Sequence, residues 1–226
     1  KTILFSFIWG FIYHISVVFW LSQNIGTSSG VAFLSMIAVV LILSCNTIFI
    51  FSLWYFFKKN NNSFNSFILP FIWVSIEYLR SYGILGFPWV NIANTQLNFY
   101  YLIQNAEYVG IYGISFWVVL INVLLYDLLF RRKIKKIYVT LIFVLPFILG
   151  YYSVSQLVYD KIDNYTVSII QPNVNLFTKR DYLNRFENLN NLIDKSKTAI
   201  QDNLDLIIWP ESALSYNNLQ DKKIFT

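Results

Sequence analysis

Stretches of about 20 residues almost free of charge recur along the first two thirds of this chain, near residues 2–21, 31–57, 64–82, 101–130 and 137–155. A helix needs about 20 apolar residues to cross the hydrocarbon core of a bilayer. For most of its length, then, this chain has lipid as its solvent. Overall 56% of residues are hydrophobic and 13% charged, against roughly 45–50% and 25% in soluble domains. Five crossings are expected, the second and fourth long enough to tilt or to extend into the interface.

The charges give an orientation. Lys1, Lys58, Lys59 and the run Arg131, Arg132, Lys133, Lys135 and Lys136 fall on one side if the crossings alternate, whereas 22–30 and 83–99 carry no charge. Short cytoplasmic loops collect Lys and Arg, which places the residues after the last crossing outside the cytoplasm. The formal net charge of +5 is thereby read as topology anchors, and no nucleic-acid partner is expected. Of twelve acidic residues, only Glu77, Glu107 and Asp127 precede residue 160. Cys45 is the single cysteine; it is expected as a small buried apolar residue, and no internal disulfide or paired-thiol metal site can form. No cofactor is called for. Because the chain opens with Lys1 directly into an apolar run, without a charged leader and cleavage site, it reads as part of a longer protein.

Three features stand out among the spans and their loops. Glu77 and Arg80 are three residues apart and share one helical face. An intramembrane charge faces a protein interior or a wet cavity, so they line such a space or form an ion pair near the interface. His14 has no carboxylate at helical spacing and is expected as a packed polar residue. The uncharged loop Gly83-Ile84-Leu85-Gly86-Phe87-Pro88-Trp89 ends in aromatics suited to the headgroup level, with Pro88 holding Phe87 extended.

After Tyr159 the pattern changes. The run from Tyr165 to Gln171 is β-branched, of strand length, and stopped by Pro172. Tyr182, Phe186, Leu189, Ile193 and Ile200 then recur at helical spacing, and Asp205 to Trp209 forms a second strand stopped by Pro210. A strand, helix, strand order favours a parallel pair with functional groups beyond the strand ends. Glu211 lies there, where partial desolvation would tune a general base. The alternative is a solvated turn, or a helix start capped by Ser212.

The stretches Ile76-Glu77-Tyr78-Leu79-Arg80 with Gly86-Phe87-Pro88-Trp89, Glu107-Tyr108-Val109-Gly110-Ile111-Tyr112-Gly113-Ile114-Ser115-Phe116, and Ile207-Ile208-Trp209-Pro210-Glu211-Ser212-Ala213 resemble the apolipoprotein N-acyltransferase family. The resemblance implies a multi-span α-helical membrane domain over residues 1–158, followed over 159–226 by the beginning of an α/β (αββα nitrilase-like) domain outside the bacterial inner membrane. It implies a Glu, Lys and Cys triad in which the thiolate takes an acyl group from a phospholipid donor and passes it to the amino group of an apolipoprotein acceptor. Glu211 matches the Glu. The family's Lys and Cys are expected beyond Thr226, since Cys45 lies in a span and Lys222 and Lys223 follow Glu211 too closely; this chain alone is therefore expected to be inactive. Phe87 and Trp89 are expected to contact the substrate. Where the family commonly reads Lys-Trp-Asp, this chain has Lys179-Arg180-Asp181, and Phe177 is expected to supply the missing aromatic surface. A non-catalytic membrane scaffold or transporter-like bundle, and a nitrilase-like enzyme with another acyl substrate, are the competing readings.

Overall fold

The computed structural model describes residues 1–60, 66–83, 86–131, 134–157, 165–174, 185–200, 204–211 and 213. Among these, four helical stretches are long and apolar enough to cross a membrane: Thr2–Gln23, Ser29–Lys59, Ala106–Arg131 and Lys136–Ser155. They make this a multi-pass membrane protein. The chain divides into two compact units, Lys1–Val158 and Tyr159–Thr226.

In the first unit α1 (Thr2–Val18) runs into a 3₁₀ turn at Phe19–Gln23, and α2 (Ser29–Asn60) follows. Then come α3 (Ile68–Arg80), 3₁₀ turns at Pro88–Val90 and Ile92–Gln96, and α4 (Tyr100–Ile103). The unit closes with α5 (Ala106–Tyr126) and α6 (Lys136–Ser155). Helices suit these residues because hydrocarbon offers no partner for a free N–H or C=O. The outer faces are correspondingly apolar, as with Ile3, Leu4 and Phe5 of α1 and Leu141, Leu145 and Ile148 of α6, all exposed. Cys45 is also exposed, against the expectation of a buried residue: among the described residues its side of α2 is left uncovered, whereas adjacent Ser44 is buried and donates to the Val40 carbonyl at 2.6 Å.

The third expected crossing differs from the other four. α3 has 13 residues, about 20 Å at 1.5 Å per residue, short of a hydrocarbon core about 30 Å thick. Its flanks nevertheless reach both ends of α5: Tyr112 Oη donates to Ser81 Oγ at 3.0 Å, and Arg131 Nη1 donates to Ser66 Oγ at 3.0 Å. α3 therefore runs antiparallel to α5 over most of its length. Between them Ile72, Trp73, Ile76 and Val119 are buried with Ile50 of α2. The last turn of the α5 stretch widens to a π-helix at Asp127–Arg131, where Arg131 Nε lies 3.6 Å from Asp127 Oδ1.

Two irregularities have identifiable causes. Pro146 sits inside α6 and has no N–H for the carbonyl of Ile142 one turn earlier; the indole of Trp117 on α5 donates to that carbonyl at 2.9 Å, so the orphan is satisfied across the helix interface. Gly110 breaks α5 near its start with φ 65° and ψ 179°, a backbone region open essentially to glycine alone. Close approach decides Gly150, where an added Cβ would run into the Tyr101 carbonyl of α4.

In the second unit β1 (Val167–Ile169) pairs in parallel with β2 (Leu206–Ile208), Val167 opposite Leu206 and Ile169 opposite Ile208. Between them in sequence lies α7 (Arg185–Ala199). Its buried face is Leu189, Leu192 and Ser196, while Phe186 and Ile200 of the expected stripe are exposed. The stripe is displaced because Trp209, just past β2, donates its indole N–H to Ser196 Oγ at 2.9 Å, a polar contact that hydrophobic periodicity does not register. Tyr182 lies outside the described residues.

Candidate functional site

A group of polar contacts in the membrane unit converges on the connection between α3 and α5. Glu77 is 2% exposed, and its Oε1 accepts from the Trp73 indole at 3.0 Å and from the backbone N–H of Ile92 at 2.8 Å. One turn on, Arg80 Nη2 donates to Asn91 Oδ1 at 2.9 Å, and the Arg80 carbonyl accepts from the N–H of Phe87 at 3.1 Å. From the other side Ser115 Oγ, fully buried on α5, accepts from the N–H of Ala93 at 3.2 Å. Glu77 and Arg80 do share a helical face, and that face clamps a loop.

The clamp holds the aromatic tip. Phe87 is half-buried against the cluster of Val18, Val40, Leu43 and Val90, and Trp89 is 63% exposed. Their rings meet edge to face with centroids 5.0 Å apart. Proline at the first position of the Pro88–Val90 turn suits a short helix, since that N–H would be unsatisfied anyway. The loop thus presents one anchored aromatic and one free one. Beneath it lies a cavity of about 550 Å³ bounded by α2, α3 and the loop, with Arg80 and Phe87 in its lining. His14 is the packed residue expected: it is 3% exposed, and its Nε2 lies 3.1 Å from Thr47 Oγ1 of α2.

Asn91, Ser115 and Trp73 are the members of this clamp that sequence reasoning missed. Asn91 and Ser115 are polar residues in strongly apolar surroundings, a signal that a partner is needed. The partners are 11 and 22 residues away in sequence, beyond the reach of helical periodicity.

Glu211 lies in the second unit. It occupies a turn just past β2, closed by the N–H of Ala213 on the Pro210 carbonyl at 3.1 Å. Parallel pairing puts the residues leaving β1 at the same end, as the N–H of Ile170 on the Ile208 carbonyl at 3.0 Å shows. Next on that segment, Asn173 adopts φ 51°. Glu211 is exposed, where a part-desolvated carboxylate was expected: among the described residues the strands form a two-stranded sheet that leaves this side chain uncovered. Phe177 and Ser212 lie outside the described residues.

The model of the apolipoprotein N-acyltransferase N-terminal domain matches residues 1–124, which takes in the whole clamp. The chain belongs to this family. Curated relatives agree: it is 26% identical over 197 residues to an apolipoprotein N-acyltransferase of Chlorobaculum tepidum, with 81% of this chain and 36% of the relative aligned. With that of Geobacter metallireducens the identity is 26% over 227 residues, 96% of this chain and 44% of the relative. With that of Coxiella burnetii it is 31% over 164 residues, 70% and 33%. The chain spans between a third and a half of the length of these relatives.

Proposed function

We propose that this protein serves lipoprotein N-acylation, moving an acyl chain from a membrane phospholipid to the N-terminal amino group of an apolipoprotein at the outer face of the bacterial inner membrane. Family membership supports the reaction class, because the relatives carry that name. The orientation rests on the basic ends: Lys58, Lys59 and Arg131 lie at one end of α2 and α5, and the clamped loop lies at the other. Positive ends stay in the cytoplasm.

In this reading the second unit is the beginning of a nitrilase-like domain, and Glu211 is its general base. A thiolate attacks the ester carbonyl of the phospholipid, and the lysophospholipid alcohol leaves with a proton; the lipoprotein amine then attacks the thioester and the thiolate leaves. Glu211 would take the proton from the thiol in the first half and from the amine in the second. Cys45, on the lipid-facing side of α2, is not that thiol. Phe87, Trp89 and Phe177 would contact the acyl substrate.

The observation that carries the assignment is the place of Glu211, at the carboxyl end of a parallel strand beside the segment leaving its partner, where α/β sheets gather their functional groups. The test expresses the complete gene in cells depleted of their own lipoprotein N-acyltransferase and follows a reporter lipoprotein by mass. Wild type should add one acyl chain, and Glu211→Gln should slow the reaction by about 10²-fold or more. Equal acylation by both would remove Glu211 from the mechanism. No acylation by a correctly inserted wild type would turn the reading to a scaffold or to another acyl substrate.

A further inference from the structure

We infer that a second groove, between α1, α2, α3 and α5 toward the end of the bundle opposite the clamped loop, holds an acyl chain of an anionic phospholipid whose headgroup rests on Lys58 and Arg131. In the orientation proposed above this is the cytoplasmic leaflet. The lipid is held here as an anchor and not as a reactant, so the inference goes beyond the acyl-transfer reading and does not depend on it.

Three observations carry it. The first is the apolar space, a cavity of about 260 Å³ walled by Phe51, Leu69, Trp73 and Val119, with no charged residue in its lining among the described residues. Trp9 and Tyr126 of the lining are exposed, so the groove is open to lipid at its side. Its volume is below the roughly 300–1,000 Å³ of sites that enclose a whole small molecule, and suits part of one chain. The second is the rim, where two cations are fixed on lining residues. Lys58 Nζ lies 4.9 Å from the centroid of the Trp54 ring and Arg131 Cζ 5.8 Å from that of Tyr126, while Arg131 Nη1 donates to Ser66 Oγ at 3.0 Å. Asp127 lies beside Arg131 Nε, yet the Arg131 side chain is 30% exposed, and its Nη2 has no partner among the described residues. Asp127 is the only acidic residue between Glu107 and Asp160, whereas Lys58, Lys59, Arg131, Lys135 and Lys136 gather at this end. The excess is positive, and basic pockets between membrane helices select anionic headgroups. The third is an amide between rim and walls. Asn122 lines the groove one turn of α5, about 6 Å, from Tyr126. It donates to the Val118 carbonyl at 2.8 Å, and its amide has a second N–H. A polar group in apolar surroundings needs a partner, and a lipid ester carbonyl, just below the phosphate, is an acceptor at that depth. Phosphate, ester and chain thus meet cation, amide and apolar wall in order.

The test titrates the complete protein in detergent with dioleoyl phosphatidylglycerol, dioleoyl phosphatidylethanolamine, dioleoylglycerol and glycerol phosphate, read by native mass spectrometry. Phosphatidylglycerol should bind at least about fivefold more tightly than phosphatidylethanolamine, the ratio for one net charge at a membrane surface, and more tightly still than the other two. Lys58→Gln should erase that preference at an unchanged unfolding midpoint, and Lys58→Arg should keep it. Asn122→Leu should weaken phosphatidylglycerol by about fivefold, the loss of one hydrogen bond. Glu211→Gln should bind as wild type, so failure of the acyl-transfer reading leaves this test intact. A phosphatidylglycerol carrying a photoreactive group at the end of one chain should label peptides containing residues 51–54, 69–73 or 119–126. The inference is overturned if phosphatidylethanolamine or dioleoylglycerol matches phosphatidylglycerol, or if glycerol phosphate saturates the protein as tightly. It is equally overturned if the label falls outside these segments, or if neither Lys58→Gln nor Asn122→Leu changes binding.

Discussion

Replacing Glu77 by alanine would remove the acceptor shared by the Trp73 indole and the Ile92 N–H. The indole is buried and would lose its partner outright, at about 1–3 kcal/mol, and the half-buried Ile92 N–H would cost about 1 kcal/mol more. The total, about 2–4 kcal/mol, falls on the tether between α3 and the loop. At 1.4 kcal/mol per factor of ten, amide hydrogen exchange across residues 86–97 should quicken by roughly 30- to 700-fold. Protection in α6, which shares no bond with Glu77, should change little. Glu77→Gln keeps one carbonyl oxygen as acceptor and should retain most of the protection. Comparing the two by hydrogen exchange in detergent micelles isolates the acceptor from the charge. If glutamine loosens the loop as much as alanine does, the charge rather than the two hydrogen bonds holds it, and the reasoning fails.

Two more predictions follow from the backbone. Trp117→Phe should cost about 1–3 kcal/mol by orphaning the Ile142 carbonyl, and Pro146→Ala in the same chain should recover part of that by restoring the missing N–H; a thermal-unfolding double-mutant cycle with coupling near zero would refute the link. Gly110→Ala meets no neighbouring atom, so its cost should be backbone strain alone, about 1–3 kcal/mol, read as a lowered unfolding midpoint and contradicted by an unchanged one.

The membrane character, four of the five expected spans and the strand, helix, strand order of the second unit were legible in one dimension, because burial in lipid and pairing in a sheet each impose a local pattern on the residues involved. Helix 68–80 was harder: a full crossing was expected over 64–82, whereas the helix has 13 residues and its flanking Ser66 and Ser81 bond to opposite ends of the α5 stretch. The spacing of Glu77 and Arg80 announced a shared face without saying what faced it. A helical face is a local property, whereas Asn91, Ile92 and Ser115 come to it from a loop and from another helix.

The sequence by itself thus determined the solvent of each segment, the family and the position of Glu211 after a strand, since each depends on residue type and near-neighbour order. Tertiary structure alone decided that the intramembrane charges hold a loop, that Trp117 supplies the bond Pro146 cannot make, and that the Arg80 Nε is left without a partner. Each of these is a matter of which distant group satisfies a buried polar atom, and that choice is settled only when the helices pack.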